Sequence, residues 1–493
     1  MKKILLCCCL VLGLAAVAIP PLIEQQAAQA VRAGLAGLDA PWKVTAETVG
    51  CSFWKRTITL ERLHITQDSP QAPVEYRIDR ADILLPFSLP LRLAQAWMQD
   101  APASVEVISA ANATNIRISS QGNVMDCAQG HLHGLAADGS LVRQWLNGEW
   151  NGAQERPWKH VTFAEAALED CTSADGRGLT TRIERCLLQH WNGQEMQLSA
   201  AEDVSISVAE GRLLGLSRLE ARGVKALPDE LYERALAITP DISEQEALAF
   251  CRDIILQEKP FLDSVSLRGL VVSEPLLPWR TENISFTWRS SIPWDSTFSL
   301  DGFSMPAQAA ARPLRLRLPG LNSLRGSMSL TVTELGSGMF LEKMNVSLPK
   351  LASLDVRCIQ TWTGKLPALD SDLAQLMRLT VNDAHMTLND QGLTAYAAGN
   401  MTDGNPARAG MLALPLIKEL RSLSSSRENT ELADNLLKFF RHPGTLELTL
   451  RKKPLDWTVM VTHMANPAAL IRSSVTAGSV PLEEQVRTIF TEE

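Results

Sequence analysis

Thr57-Ile58-Thr59-Leu60-Glu61-Arg62-Leu63-His64-Ile65 sets its apolar residues at i, i+2, i+5 and i+7, with Glu61-Arg62 in the gap. Alternation with a period of two marks a half-buried strand. A regular strand would carry position i+5 to the opposite face. Holding all four apolar residues on one side therefore requires a bulge or kink at the polar pair.

The same spacing recurs along the chain. Tyr76, Ile78, Ala81 and Ile83 repeat it around Asp79-Arg80, and Val161, Phe163, Ala166 and Leu168 follow. Thr181, Ile183, Cys186 and Leu188 come next, then Leu219, Ala221, Val224 and Ala226 around Arg222-Gly223. Val265, Leu267, Leu270 and Val272 enclose Arg268-Gly269, and glycine is the residue a bulge prefers. Phe298, Leu300, Phe303 and Met305, and then Leu379, Val381, Ala384 and Met386, complete the set. The expected fold class is mainly β with helical insertions: elongated, curved antiparallel sheets after one N-terminal transmembrane helix.

Two stretches break the strand pattern. Residues 228–261 read as helical, with Ser243 and Glu246 at capping-box spacing and Pro260 at the end. Residues 415–423 read as a short helix, and Thr430 is placed to cap another with Leu432, Leu436, Phe439 and Phe440 on its apolar face. Pro443-Gly444 stops that helix, and residues 445–450 and 457–461 alternate as a closing hairpin. The tail from Ser473 shows little pattern. The expected organisation is an anchor or signal peptide over 1–23, a stalk helix over 24–40 and a first β-rich region over 41–227. A helical insertion over 228–262, a second β-rich region over 263–410 and a helical segment with closing hairpin and tail over 411–493 complete it.

Lys2 and Lys3 precede an uncharged run from Ile4 to Ile23. Twenty helical residues at ~1.5 Å each reach ~30 Å, the thickness of a bilayer core. The basic tip and Glu24 orient the N-terminus to the cytoplasm and the rest of the chain across the membrane. A cleaved signal peptide is the competing reading, because Ala28-Gln29-Ala30 has the small-x-small form of a cleavage site.

The remaining composition excludes more than it assigns. A chain of 493 residues is too long for one ordinary core. A net charge of −8 without a long basic block argues against nucleic acid as a partner. Three cysteines sit in the leader at Cys7, Cys8 and Cys9, and the others (Cys51, Cys127, Cys171, Cys186, Cys251 and Cys358) are scattered without a C-x-x-C pair, so zinc-ligand spacing is absent. Cys171 and Cys186 flank a turn at Asp175-Gly176-Arg177-Gly178 and are the expected disulfide in an oxidising compartment; reduced, buried packing is the alternative.

Motifs for a serine nucleophile elbow, a P-loop or a zinc protease are missing, and Gly176 and Gly178 alone form no nucleotide fingerprint. Asp126, Cys127, His131 and His133 form the single cluster with metal-ligand chemistry, and a solvated loop accounts for it equally well. The expectation is a non-enzyme with no catalytic residues, no metal and no cofactor.

The opening strands, Val44-Thr45-Ala46-Glu47 through Ile65, following a basic tip, one apolar segment and a helix, resemble the start of the AsmA-like bacterial envelope proteins. That resemblance implies a single-pass protein of the bacterial inner membrane with its bulk in the periplasm, a role in lipid handling, and no catalytic residues. The chain is shorter than the long lipid-bridging members. Lipid-facing positions are then expected at Ile58, Leu60, Leu63, Ile65, Val265, Leu267, Leu270, Val272, Phe298, Leu300, Phe303 and Met305. The expected partners are the membrane, lipid and other envelope proteins. The rival expectation is a structural or partner-binding periplasmic protein in which the same strands close into β-sandwiches.

Overall fold

A computed structural model describes residues 23–36, 42–67, 74–98, 104–120, 123–147, 157–174, 178–209, 211–226, 262–273, 278–289, 295–314, 316–336, 338–362, 379–423, 426–451, 453–463 and 466–491. The protein is mainly β, with antiparallel sheet throughout. It divides into two compact units, residues 1–242 and 243–493. Residues 1–22 of the anchor expected over 1–23, and the helical stretch expected over 228–261, lie outside the described residues. Among the described residues no helix is long and apolar enough to cross a membrane.

In the first unit a helix (α1) over residues 23–36 precedes ten strands. β1 (Trp42–Thr45) and β2 (Thr48–Ser52) pair with opposite ends of β3 (Thr57–Gln67) and form one interrupted edge. The order then runs by hairpins through β4 (Val74–Leu84), β5 (Val105–Ser120), β6 (Asn123–Ala137), β7 (Val161–Ala174), β8 (Thr180–Trp191), β9 (Glu195–Val208) and β10 (Gly211–Lys225). Two helices absent from the sequence reading, α2 (Leu89–Met98) and α3 (Gly139–Asn147), cap the ends of hairpins and pack around Val105, Ala137 and Val142.

The kink demanded by the apolar spacing occurs where the polar pairs stand. In β3, Arg62 has φ of +50° and no ladder partner on β4, while Glu61 and Leu63 on either side are paired. The same break passes across the sheet through Asn115, Asp170 and Asp203, with φ of +52°, +49° and +47°. Three of these four are Asn or Asp, which tolerate the left-handed region better than other side chains. Gly223, Gly269 and Gly302, with φ of +61°, +63° and +61°, make the equivalent step in β10 and in two strands of the second unit.

The second unit is a nine-strand meander: β11 (Ser264–Val272), β12 (Trp279–Arg289), β13 (Asp295–Pro306), β14 (Ser323–Gly336), β15 (Met339–Leu348), β16 (Ala352–Trp362), β17 (Leu379–Asp390), β18 (Thr445–Leu450) and β19 (Ile471–Thr476). A short helix, α4 (Ala307–Leu314), joins β13 to β14. Between β17 and β18 stand α5 (Leu393–Met401), α6 (Pro406–Met411), α7 (Ala413–Leu423) and α8 (Arg427–Arg441). Their interior is the unit's hydrophobic core, around Ala395, Ala409 and Val486 on one side and Ala413, Ile417 and Ala433 on the other. Helix α8 covers β19, with Asn435 Nδ2 donating to the Ser473 carbonyl at 2.9 Å, and so protects a sheet edge from further pairing.

Four sequence expectations are corrected here. Ser426, not Thr430, caps α8: its Oγ accepts from Asn429 N at 3.2 Å, and the helix starts one residue later. Residues 457–461 are not a strand. Asp456 Oδ1 accepts from Val459 N at 2.8 Å and starts a helix, α9 (Trp457–Thr462). The hairpin partner of β18 is β19, which runs into the tail from Ser473 that shows little pattern, and the tail continues into α10 (Leu482–Thr491), whose Leu482 and Val486 enter the core. Finally, Cys171 is bonded to Cys127 rather than Cys186. Cys186 pairs across β7–β8 with Leu168, three residues out of register with Cys171, and remains a free thiol.

Candidate functional site

Across the second unit, register turns the one-faced strands into continuous rows. Directly opposed residues on neighbouring antiparallel strands point to the same side. Val265, Phe286, Phe298, Leu330, Met344, Val356, Met386 and Leu448 are each paired with the next, from β11 to β18. Two residues along, Leu267, Ile284, Leu300, Met328, Val346, Leu354, Leu388 and Leu446 form a second unbroken apolar row. Between them, on the opposite face, Ser266, Ser285, Ser299, Ser329, Asn345, Asp355, Thr387 and Glu447 are all polar.

The apolar rows do not form a dry core. All members of the first row are half-buried, and among the described residues no cluster of buried residues includes any of them. Apart from Leu446, every member of both rows is only half-buried, so the strip keeps access to solvent along its length. At about 4.8 Å per strand, eight strands carry the strip roughly 34 Å. Phe303 and Met305 continue it beyond the Gly302 kink, where Phe303 lies 6.0 Å from the Trp279 ring. The kink itself is held by Thr281, buried, whose Oγ1 donates to the Asp301 carbonyl at 2.5 Å.

A carboxyl, Glu342, stands on this apolar face in the middle of the sheet. Glu342 pairs with Val332 on one side and Cys358 on the other and accepts from Gln360 Nε2. Burial pushes the Glu342 pKa up. The Cys358 thiol is also raised, by burial first and then by Glu342 and Asp383.

The first unit has an apolar face of the same kind, partly covered. Helix α1 lays Ala28, Val31 and Leu35 over β2–β4, and Leu60 and Leu63 beneath it are only 5% and 7% exposed. Leu60 and Leu63, two of the twelve expected lipid-facing residues, are thus core positions under α1, and Ile58 and Ile65 pack against the same cluster. The open part lies beyond, toward β8, as a concavity of about 400 Å³. Small residues Ala81, Ala113 and Gly130 form its floor, with Ile83, Leu168 and Leu188 around them.

Of the remaining expected residues, Leu270 is buried, and Val265, Leu267, Val272, Phe298 and Leu300 are half-exposed. The sequence reading missed the partners that make the rows, notably Phe286, Leu330, Met344 and Val356. Their alternation is visible in Ser285-Phe286-Thr287 and Ser329-Leu330-Thr331, without the i+5 step used as a search pattern.

The Asp126–His133 cluster does not converge. Cys127 is in the disulfide, Asp126 accepts from Arg117 Nε at 2.6 Å, and His131 Nδ1 lies 2.8 Å from Asn112 Oδ1. Among the described residues no group of three His, Cys, Asp or Glu is placed to hold a metal ion. The sequence matches no known protein-family model and no curated protein.

Proposed function

We propose that this is a non-enzymatic protein of the AsmA-like kind, held in the bacterial inner membrane by residues 1–23 with its bulk in the periplasm. Its role is to hold lipid acyl chains on the apolar faces of its sheets. The observation that carries this reading is the pair of unbroken apolar rows from β11 to β18, whose members other than Leu446 are only half-buried. Contiguous apolar surface on this scale is a liability in water unless a ligand or partner occupies it. Each methylene removed from water contributes about 0.8 kcal/mol, so an acyl chain lying on one such face gains several kcal/mol.

Two further observations support the location. The Cys127–Cys171 disulfide suits an oxidising compartment. Cleavage after Ala30 would cut α1 within the face that covers Leu60 and Leu63, which favours an uncleaved anchor.

A photoreactive residue at Leu330, in the apolar row, and at Ser329, on the opposite face, tests the reading in intact cells. Lipid adducts at position 330 and none at 329 are expected. Equal lipid labelling at both positions, or capture at 330 of a single protein and no lipid, would overturn it.

A further inference from the structure

We propose that the turn Phe53-Trp54-Lys55-Arg56, together with Phe87, is a membrane-seating site that rests in the headgroup region of a phospholipid bilayer. The proposal rests on residues 1–23 being a membrane anchor.

The turn has the wrong chemistry for folding alone. Tight turns use Gly, Asn, Asp, Pro or Ser, because these supply the backbone conformations or local hydrogen bonds that a reversal needs. Here the β2–β3 hairpin closes over two aromatic residues and two cations, and Arg56 takes up a φ of +54°. The aromatic rings gain little burial: Trp54 is 72% exposed and Phe87, in the neighbouring turn, 85%. Leu91, in the first turn of α2, is also exposed. Phe53, Trp54 and Phe87, three exposed aromatic side chains on two turns that open on one cavity, carry a cost in water that their own fold does not recover.

Continuity of the chain identifies the occupant. The uncharged run ends at Ile23, and the next residue, Glu24, accepts a hydrogen bond on Oε1 from the Phe53 backbone N–H at 2.7 Å. That bond fixes the end of the apolar run to the aromatic turn. Ile23, Phe53, Trp54 and Phe87 line a shared cavity of about 710 Å³ whose walls are mostly apolar. A helix leaving Ile23 into a bilayer brings this turn to the membrane surface without any further adjustment.

The residue types match that depth. Trp sits preferentially at the boundary between hydrocarbon and headgroups, with its apolar body in one and its N–H in the other. Lys55 is exposed, and the Arg56 guanidinium stands 5.9 Å from the centre of the Phe87 ring, so cations flank the rings where lipid phosphates would lie. Glu24, the acid at this end of α1, is engaged by the backbone N–H.

The test uses the full chain reconstituted in vesicles of phosphatidylcholine and phosphatidylglycerol, with and without lipids brominated near the headgroup end of the acyl chain. Trp54 quenching is read as the difference between the wild type and Trp54→Phe, after an alkaline wash that removes peripheral protein. The variant conserves an aromatic ring at an exposed position, and equal thermal midpoints verify its fold. Wash-resistant protein whose brominated-lipid quenching is lost in Trp54→Phe supports the seating site. Wash-resistant protein with the same quenching in both forms overturns it and leaves the anchor intact. Protein released by the wash overturns the anchor, and the seating site with it.

Discussion

Cys127 on β6 is bonded to Cys171 on β7, with Cα atoms 4.0 Å apart, beside the row where the strands kink. Asp170, next to Cys171, has φ of +49°, so the bond fastens two neighbouring strands at the point where regular pairing is interrupted. Both sulfurs are buried between Ile116, Ile183 and Leu168. The bond therefore replaces ladder hydrogen bonds with a covalent tie inside the apolar face.

Removing the tie frees a loop of 44 residues in the unfolded chain. Cys127→Ser with Cys171→Ser should lower stability by about 2–4 kcal/mol, and Cys186→Ser should change it little. Urea denaturation of the three proteins measures this, and a non-reducing peptide map of the wild type reads the connectivity directly. A Cys171–Cys186 peptide in that map would contradict the structure.

The kinks offer a second test. Gly302 has φ of +61°, and a β-carbon there would collide with the Glu282 side chain. Gly302→Ala should then cost about 1–2 kcal/mol from the backbone conformation alone, before the Glu282 side chain moves. Arg62→Gly should run the opposite way, because Arg62 holds the same conformation with a side chain. Thermal midpoints moving in the same direction for both substitutions would contradict this account of the polar step.

How far the sequence was readable follows from these residues. Strand identity and the polar break were legible because burial of one face imposes its period on the chain, and because glycine marks the break at 223 and 269. The break at Asn115, Asp170 and Asp203 was less visible, since Asn and Asp more often mark a turn between strands than a kink within one. Disulfide connectivity depends on register between strands, which no local pattern encodes. Residues 457–461 alternate well enough to imitate a strand, and the competing signal, an Asp at the N-cap, is a single residue. The apolar rows are a property of eight strands in register, and one strand's pattern can show only its own member.

The docking of α1 can be measured through the residue it covers. Leu63 lies beneath Val31 and Leu35 in a closed cluster, so Leu63→Ala should destabilise the first unit by about 2–5 kcal/mol, the range for cavity-forming core substitutions. Leu188, in the open concavity, is 37% exposed and loses fewer contacts when truncated. Leu188→Ala should cost clearly less, by chemical denaturation of the two variants side by side. Equal losses would mean that α1 does not cover the face.

Glu342 gives the second unit's apolar face a testable dependence on pH. Burial raises its pKa in the folded protein above the value it has when unfolded. The folded state therefore binds the proton more tightly, and ionisation is unfavourable on a strip shared with Val332 and Met344. The stabilisation is fully present below the ordinary glutamate range, near pH 4.5, and is lost as pH rises through the raised folded value. Glu342→Gln keeps an acceptor for Gln360 and cannot ionise. Its stability relative to the wild type should be close to equal in acid and should rise as pH increases, levelling off once the wild-type carboxyl is fully charged. Urea midpoints of both proteins from about pH 4 to about pH 8 measure the difference, on either side of the glutamate range. A difference that stays constant with pH would show that Glu342 titrates as an ordinary surface carboxyl. Lipid retained on purification gives a second readout: an acyl chain over Glu342 removes more water from it, so Glu342→Gln should hold lipid to higher pH than the wild type.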